Sequence, residues 1–354
     1  MFYQCPKCKK IWQYPIKNCP ECFLELERIN PLAGRQKAKV IGVSKVSIPS
    51  FVHPKVPYFV LVLQDEKGNK WAQKSVKEYK IGEVLDFEPV RQPADKNKNT
   101  VAIWRIKYDI LEGIEKVIEL LGGLKIEPKT KILILPTLIS PKHPYFAENT
   151  TPQFLESLIK YLLQSGGKEE NIKVASQSFN EIPIGAVAQK SQLLKVCQDF
   201  KISPLDLAES NFVKKSINNF NFEISEELFN SDLIINLPIL KIGKEEASEN
   251  ILKVLKKENY LGLKYLFSEE EIKENLNKIS PNYLTIADGQ IVQKPDKFTT
   301  FLGLILASFS PLNLDRVFAE ISMIKDLPKS LKNVKIENIP IAGRQIEEVQ
   351  LIFY

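Results

Sequence analysis

The chain has 354 residues, of which 44% are hydrophobic and 26% charged, with a net charge of +6. That length predicts two or three domains, and that composition a soluble globular protein with ample apolar material for its cores. No stretch reads as a signal or transit peptide, and the longest uncharged run, 298–314, is interrupted by Thr, Ser, Asn and Pro, so a membrane span is excluded and a cytoplasmic protein expected.

The charge is unevenly placed. Residues 1–108 carry 20 Lys/Arg against 10 Asp/Glu, whereas residues 109–354 carry 29 against 33. A basic N-terminal part of this kind attracts phosphates, whether of a nucleic acid, a coenzyme or an acidic partner.

Residues 1–30 read as a rubredoxin-like zinc ribbon. Four of the five cysteines lie here as two Cys-x-x-Cys pairs, Cys5/Cys8 and Cys19/Cys22. Reduced thiols at this spacing point to metal rather than to disulfides. Each Cys-Pro-x-Cys is a knuckle that turns two thiolates toward one point, and four thiolates suit one structural zinc ion, with iron as the alternative. So small a segment cannot bury enough surface to fold alone, and the metal supplies the missing stability.

Residues 31–108 read as all-β. Runs at 37–46, 58–63, 71–76, 83–88 and 101–106 predict five short strands, with a hairpin turn at 65–69 where Gly68 and Asn69 take positive φ. That spacing fits a small OB-type barrel. Residues 109–354 alternate helix and strand. Helices are predicted over 109–121, stopping at Gly122-Gly123, and from a Thr151 N-cap with Pro152 to Gly166-Gly167. Strands are predicted at 131–136, 172–175, 233–237, 283–287 and 301–306, with a further edge strand at 349–354. Continuous apolar strands between amphipathic helices predict an α/β domain with a largely parallel sheet.

The knuckles, Pro57-Tyr58-Phe59-Val60-Leu61-Val62 and Ile81-Gly82-Glu83-Val84-Leu85 resemble the zinc-ribbon and OB-fold proteins of acyl-CoA chemistry (domain of unknown function 35). The resemblance implies a non-catalytic module that accompanies an acyl-CoA-metabolising enzyme or holds its thioester. From about residue 130 onward the chain resembles the family called domain of unknown function 362. The matching places are Leu135-Pro136-Thr137, Thr151-Pro152, Asn236-Leu237-Pro238-Ile239-Leu240-Lys241, Gly262-Leu263-Lys264, Ile286-Ala287-Asp288-Gly289 and Leu314-Asp315. Gly243 stands where that family usually carries a histidine.

This second resemblance implies a site built from Lys241, Lys264, Asp288 and Asp315. Lys241, Asp288 and the loop before Asp315 follow the ends of predicted strands, where open α/β sheets bind ligands. Two lysines would hold a phosphate or carboxylate, and a carboxylate would take a proton or a metal. The plainer alternatives are that Asp288-Gly289 is a turn and that Asp315 caps a helix. His143 lies in a Pro-bounded loop, His53 in a turn, and Cys197 among apolar helix residues as core filling. No Walker loop, dinucleotide fingerprint or nucleophile elbow is present.

The expected function is a cytoplasmic accessory or metabolic protein whose ribbon and barrel recruit an acyl-CoA or other anionic partner to the α/β domain. One alternative is an enzyme acting on a small acidic metabolite through Lys241, Lys264, Asp288 and Asp315. The other is a single-stranded nucleic-acid binder that stacks bases on Phe51, Tyr58, Phe59, Trp71 or Trp104 of a basic barrel.

Overall fold

A computed structural model describes every residue except 1, 13–15, 30–35, 49–55, 67, 76, 88–97, 107–108, 281–282 and 351–354. The predicted edge strand at 349–354 and His53 therefore lie, wholly or largely, outside the described residues. Two compact units are present, one within Met1–Gln92 and the other within Pro93–Gln350.

In the first unit β1 (Phe2–Gln4), β2 (Ile11–Trp12) and β3 (Glu27–Ile29) form an antiparallel sheet in the order β2-β1-β3. A second antiparallel sheet, ordered β6-β5-β4-β7, is built from β4 (Gln36–Val46), β5 (Tyr58–Asp65), β6 (Lys70–Ser75) and β7 (Val84–Phe87). Its small core holds Ala38, Val40, Phe59, Leu61, Leu63 and Trp71, the alternate positions of each strand. A bulge between Val40 and Gly42 shifts the inward phase of β4, so that Val43 joins that core. In the β5–β6 turn Gly68 takes φ +83°, as expected, but Asn69 does not share the left-handed region. Asn69 instead donates its backbone N–H and its side-chain amide to the Asp65 carboxylate.

The second unit holds a nine-stranded sheet. Its elements are, in chain order, β8 (Val101–Arg105), α1 (Ile110–Leu120), β9 (Ile132–Pro136), α2 (Pro152–Gln164), β10 (Ile172–Ser176), α3 (Ile184–Lys190), α4 (Leu193–Asp199) and β11 (Pro204–Asp206). The hairpin β12 (Phe212–Ile217) and β13 (Phe220–Ser225) follows, then β14 (Leu233–Leu237), β15 (Ile239–Lys241), α5 (Glu246–Asn250), α6 (Lys257–Leu266) and α7 (Glu269–Ile279). The chain continues with β16 (Leu284–Gln293), β17 (Thr299–Ser308), α8 (Pro311–Ile321), α9 (Lys329–Lys332), β18 (Ile341–Gly343) and α10 (Ile346–Val349). The strand order is β11-β10-β9-β14-β16-β17-β8-β18, with β15 also on β16. All pairings are parallel except β16–β17 and β17–β8.

Both faces of the sheet are covered, which is why β9 reads as an unbroken apolar run. Ile132 and Ile134 face α1, α2 and α4, whereas Leu133 and Leu135 face the hairpin, α6 and α7. Asp109, predicted as the first helical residue, is instead the N-cap of α1, and Gly122 and Gly123 end the helix at positive φ where the sequence predicts a stop.

Three expectations change. The run at 101–106 does not close the barrel. It is β8, hydrogen-bonded between β17 and β18 inside the larger sheet, where Val101, Ala102 and Ile103 are fully buried. Strands at 283–287 and 301–306 are longer than their apolar cores and form one antiparallel pair. Asp288-Gly289 is consequently mid-strand rather than a turn.

The chain reverses direction across the sheet between β9 and β14. From β9 it proceeds to β10 and β11 on one side, and from β14 to β16 on the other. Open α/β sheets bind their ligands outside the strand carboxyl ends at such a switch point. Among the described residues no helix is long and apolar enough to cross a membrane.

Candidate functional site

The two knuckles of the ribbon are built alike. Cys5 donates its N–H to the Lys10 carbonyl and its own carbonyl accepts Lys9 N–H; Cys19 likewise donates to the Leu24 carbonyl and accepts Phe23 N–H. Lys9 and Phe23, each one residue past a knuckle's second cysteine, take φ +59° and +57°. The four sulfurs of Cys5, Cys8, Cys19 and Cys22 lie within 4.8 Å of one another. Cys8 and Cys19 Sγ are 3.7 Å apart, close to the edge of about 3.8 Å expected for a tetrahedron of ~2.3 Å metal–sulfur bonds. These four residues could hold a metal ion. Cys197 is separate: it is buried on α4, and burial pushes its thiol up to about 11, which leaves it inert core filling.

At the carboxyl end of β15, Lys241 is buried and donates to Glu246 Oε1 at 2.9 Å. The chain reverses between them in a tight turn closed by Lys244 N–H to the Lys241 carbonyl. Gly243 occupies the third position of that turn at φ +80°, where a side chain would be strained. This explains glycine at a place where a histidine is expected from the family resemblance.

Lys264, on α6, is half-exposed and pairs with Glu269 at 3.2 Å. Glu269 in turn belongs to a hub around Lys273 of α7, which lies 3.4 Å from Glu245, 3.8 Å from Glu249 and 3.3 Å from Glu269. Burial works against the Lys273 charge, yet Glu249, Glu245 and Glu269 hold its pKa above the ordinary lysine value. Burial pushes Glu249 up to about 7 against the pull of Lys273.

The two aspartates are occupied by backbone. Asp315, buried within α8, accepts Ala247 N–H at 3.0 Å through Oδ1, and Ser248 N–H at 2.8 Å and Oγ–H at 2.6 Å through Oδ2. It thus caps the start of α5 rather than its own helix. Asp288 accepts Thr151 N–H at 3.0 Å and Oγ–H at 2.6 Å through Oδ2, and Gln290 N–H at 3.1 Å through Oδ1. Thr151 stands at the N-cap of α2 as expected, but its hydroxyl donates to Asp288 instead of accepting from the helix. Burial raises both aspartate pKa values, that of Asp315 to about 8, while these hydrogen bonds favour the charged forms.

Lys241, Lys264 and Asp315 are therefore linked around α5 through Glu246, Glu269 and Lys273, whereas Asp288 serves the start of α2. At the switch point amide and hydroxyl side chains tie the strand ends together. Asn250 binds the Leu135 carbonyl, Asn236 and Thr137, and Thr150 binds the Leu237 carbonyl. His143 is an exposed cap whose Nδ1 accepts Tyr145 N–H.

Sequence reasoning missed Lys253. It follows α5, and its ammonium lies 4.3 Å from the centre of the Phe179 ring, which itself stacks on Tyr260. No carboxylate lies within ion-pair distance of it among the described residues, and burial together with Lys241 lowers its pKa to about 8 against the pull of Glu246. The run Ile251-Leu252-Lys253-Val254-Leu255 reads as an ordinary amphipathic segment, and only the fold shows which group the lysine faces.

Residues 132–245 match the family model described as a domain of unknown function (DUF362). No curated protein matches the chain. Among solved structures the chain is similar to the lactate racemase apoprotein from Thermoanaerobacterium thermosaccharolyticum, at 12% identity with a TM-score of 0.39. That similarity covers 68% of this chain and 60% of that one.

Proposed function

We propose that the α/β unit is an enzyme domain that acts on a small acidic metabolite, a carboxylate or phosphate, bound beyond the carboxyl ends of β14 and β15. The observation that carries the reading is the placing of two lysines beside α5, one sharing a single carboxylate oxygen and the other with no carboxylate partner. A cation in low-dielectric surroundings without a matched anion is suited to receive one from a ligand. In this reading Lys241 and Lys253 bind the substrate's anionic groups, with Lys264 as a further cation paired to Glu269. Asp288 and Asp315 act by fixing the starts of α2 and α5, and hence Glu246 opposite Lys241.

The N-terminal unit is, in the same proposal, a zinc-stapled ribbon with a four-stranded OB-like sheet that recruits an acyl-CoA or other anionic partner. Four thiolates would fill zinc's coordination sphere, so the ion is structural. A nucleic-acid role finds less support, because Phe59 and Trp71 lie in the sheet core and the buried Tyr58 ring is covered by Lys74. A base needs an exposed aromatic face to stack upon.

A thermal-shift screen of zinc-loaded protein against small carboxylates, CoA thioesters, nucleotides and short oligonucleotides tests the proposal. A ligand at a hundred times its dissociation constant stabilises its domain by about 2.7 kcal/mol. Stabilisation by a carboxylate or phosphate that disappears in Lys241→Ala is the expected result. Stabilisation by oligonucleotides alone would replace the proposal with the nucleic-acid reading.

A further inference from the structure

We infer that the hub around Lys273 is a proton switch, which takes up one proton at Glu249 and whose loss of that proton weakens the packing of α5 on α7 and the hold of the Lys241 site on an anion. The second half rests on the proposed anion site and names its regulation.

The charge count of the hub carries it. The buried Lys273 ammonium meets carboxylates at both ends of the short helix α5, Glu245 at 3.4 Å and Glu249 at 3.8 Å, and Glu269 of its own helix at 3.3 Å. Lys264 of α6 adds a second cation through Glu269. Two positive charges thus face three negative ones, and one proton restores neutrality. In surroundings of low dielectric an unmatched charge is costly, so the cluster favours that proton. The other charged groups about α5 are engaged elsewhere. Lys241 of β15 bonds Glu246, and Asp315 of α8 is filled by Ala247 and Ser248. Lys253, after α5, lies in the fields of Glu246 and Lys241.

Hydrogen bonds choose the proton's place. Glu245 also accepts the Ser330 hydroxyl of α9, and Glu269 accepts the Tyr260 hydroxyl at 3.0 Å. Such donors favour the charged form. Glu249 has Lys273 alone, at the longest of the three distances, and its carboxylate has no further partner among the described residues. Its side chain is 39% exposed, which gives water a path to deliver the proton. Burial raises its pKa to about 7 against the pull of Lys273, with Glu246, Glu269 and Glu245 adding to the rise. Glu246 and Glu249 lie three residues apart on α5, adjacent on its surface, so a charge on Glu249 adds to the one already facing Lys241.

Urea denaturation of the zinc-loaded full chain tests the switch without a ligand. A group whose folded pKa is raised from 4.5 to about 7 contributes fully below pH 4.5, and that contribution is lost as pH rises toward 7. Wild type should therefore lose stability over that range relative to Glu249→Gln, a fixed neutral isostere, and relative to Glu249→Ala. Glu274→Gln, which removes an exposed acid of α7, should keep the wild-type slope. Curves of wild type parallel to both Glu249 variants overturn the switch. Sulfate, whose charge is constant over this range, probes the anion site by calorimetry. Wild type and Glu249→Gln should bind it equally at pH 5, and wild type at least threefold more weakly at pH 8. A ratio that does not change with pH overturns the coupling. Sulfate binding by neither protein overturns the anion site, while the urea difference still decides the switch.

Discussion

Asp315, in the middle of α8, holds Ser248 twice: one carboxylate oxygen accepts both the backbone N–H and the hydroxyl of that residue. The contact spans 67 residues of sequence and fixes where α5 begins, and with it the side chain of Glu246 that faces Lys241. A buried acid is thus the anchor on which the lysine site depends.

Removing that anchor should be costly. Asp315→Ala leaves three buried donors without an acceptor and should destabilise the α/β unit by about 3 kcal/mol or more, with Asp315→Asn milder because one acceptor remains. The pH dependence has a definite sign. Burial raises the folded pKa to about 8 from 3.8, so this group's contribution is fully present below about pH 4. Between those two values the unfolded chain releases the proton and the folded chain keeps it, so the contribution is lost as pH rises toward 8. Urea denaturation from pH 4 to 8 should therefore show wild type losing stability relative to Asp315→Asn. Parallel curves would exclude this.

The ribbon should be metal-dependent and the larger unit should not. Purified protein is expected to carry one zinc per chain and to expose no thiol that reacts rapidly. Chelation should release the four thiols of Cys5, Cys8, Cys19 and Cys22 to a thiol reagent while Cys197 stays unreactive until the chain unfolds. Rapid reaction of a fifth thiol in folded protein would contradict the burial of α4.

Lys241 and Glu246 form a buried pair whose members depend on each other. Lys241→Met leaves a buried carboxylate without a partner, at a cost of about 3–5 kcal/mol, whereas the double change Lys241→Met/Glu246→Gln should recover most of that loss. Neither variant should bind a small carboxylate. Recovery of stability without recovery of binding separates folding from function. Ligand binding by the double variant would remove Lys241 from the site.

Gly343 offers a test of the sheet's far edge. It takes φ +87°, and a methyl group there would lie 2.3 Å from the Ile103 carbonyl and 2.8 Å from Leu120. Both the left-handed backbone and the clash oppose a side chain, so Gly343→Ala should cost about 3 kcal/mol. An unchanged melting temperature would mean that β18 does not pair with β8.

The strongest local signals were readable directly. Two Cys-Pro-x-Cys knuckles, the glycine stops after α1 and α2, and the apolar runs of β9, β10 and β14 each follow from interactions within a few residues, so the linear sequence determined them. Partners distant in the chain were not readable. β8 reads as a barrel strand because any short β-rich run can complete either sheet, and hydrogen bonds to β17 and β18 decided between them. Asp288 and Asp315 look like surface turn and cap residues until the fold buries them against Thr151 and Ser248. Lys253 looks like the solvent face of a helix until Phe179, 74 positions earlier, comes to lie beneath it. Sequence sets propensity and period, which are local; burial and charge pairing belong to groups that only tertiary packing brings within reach of each other.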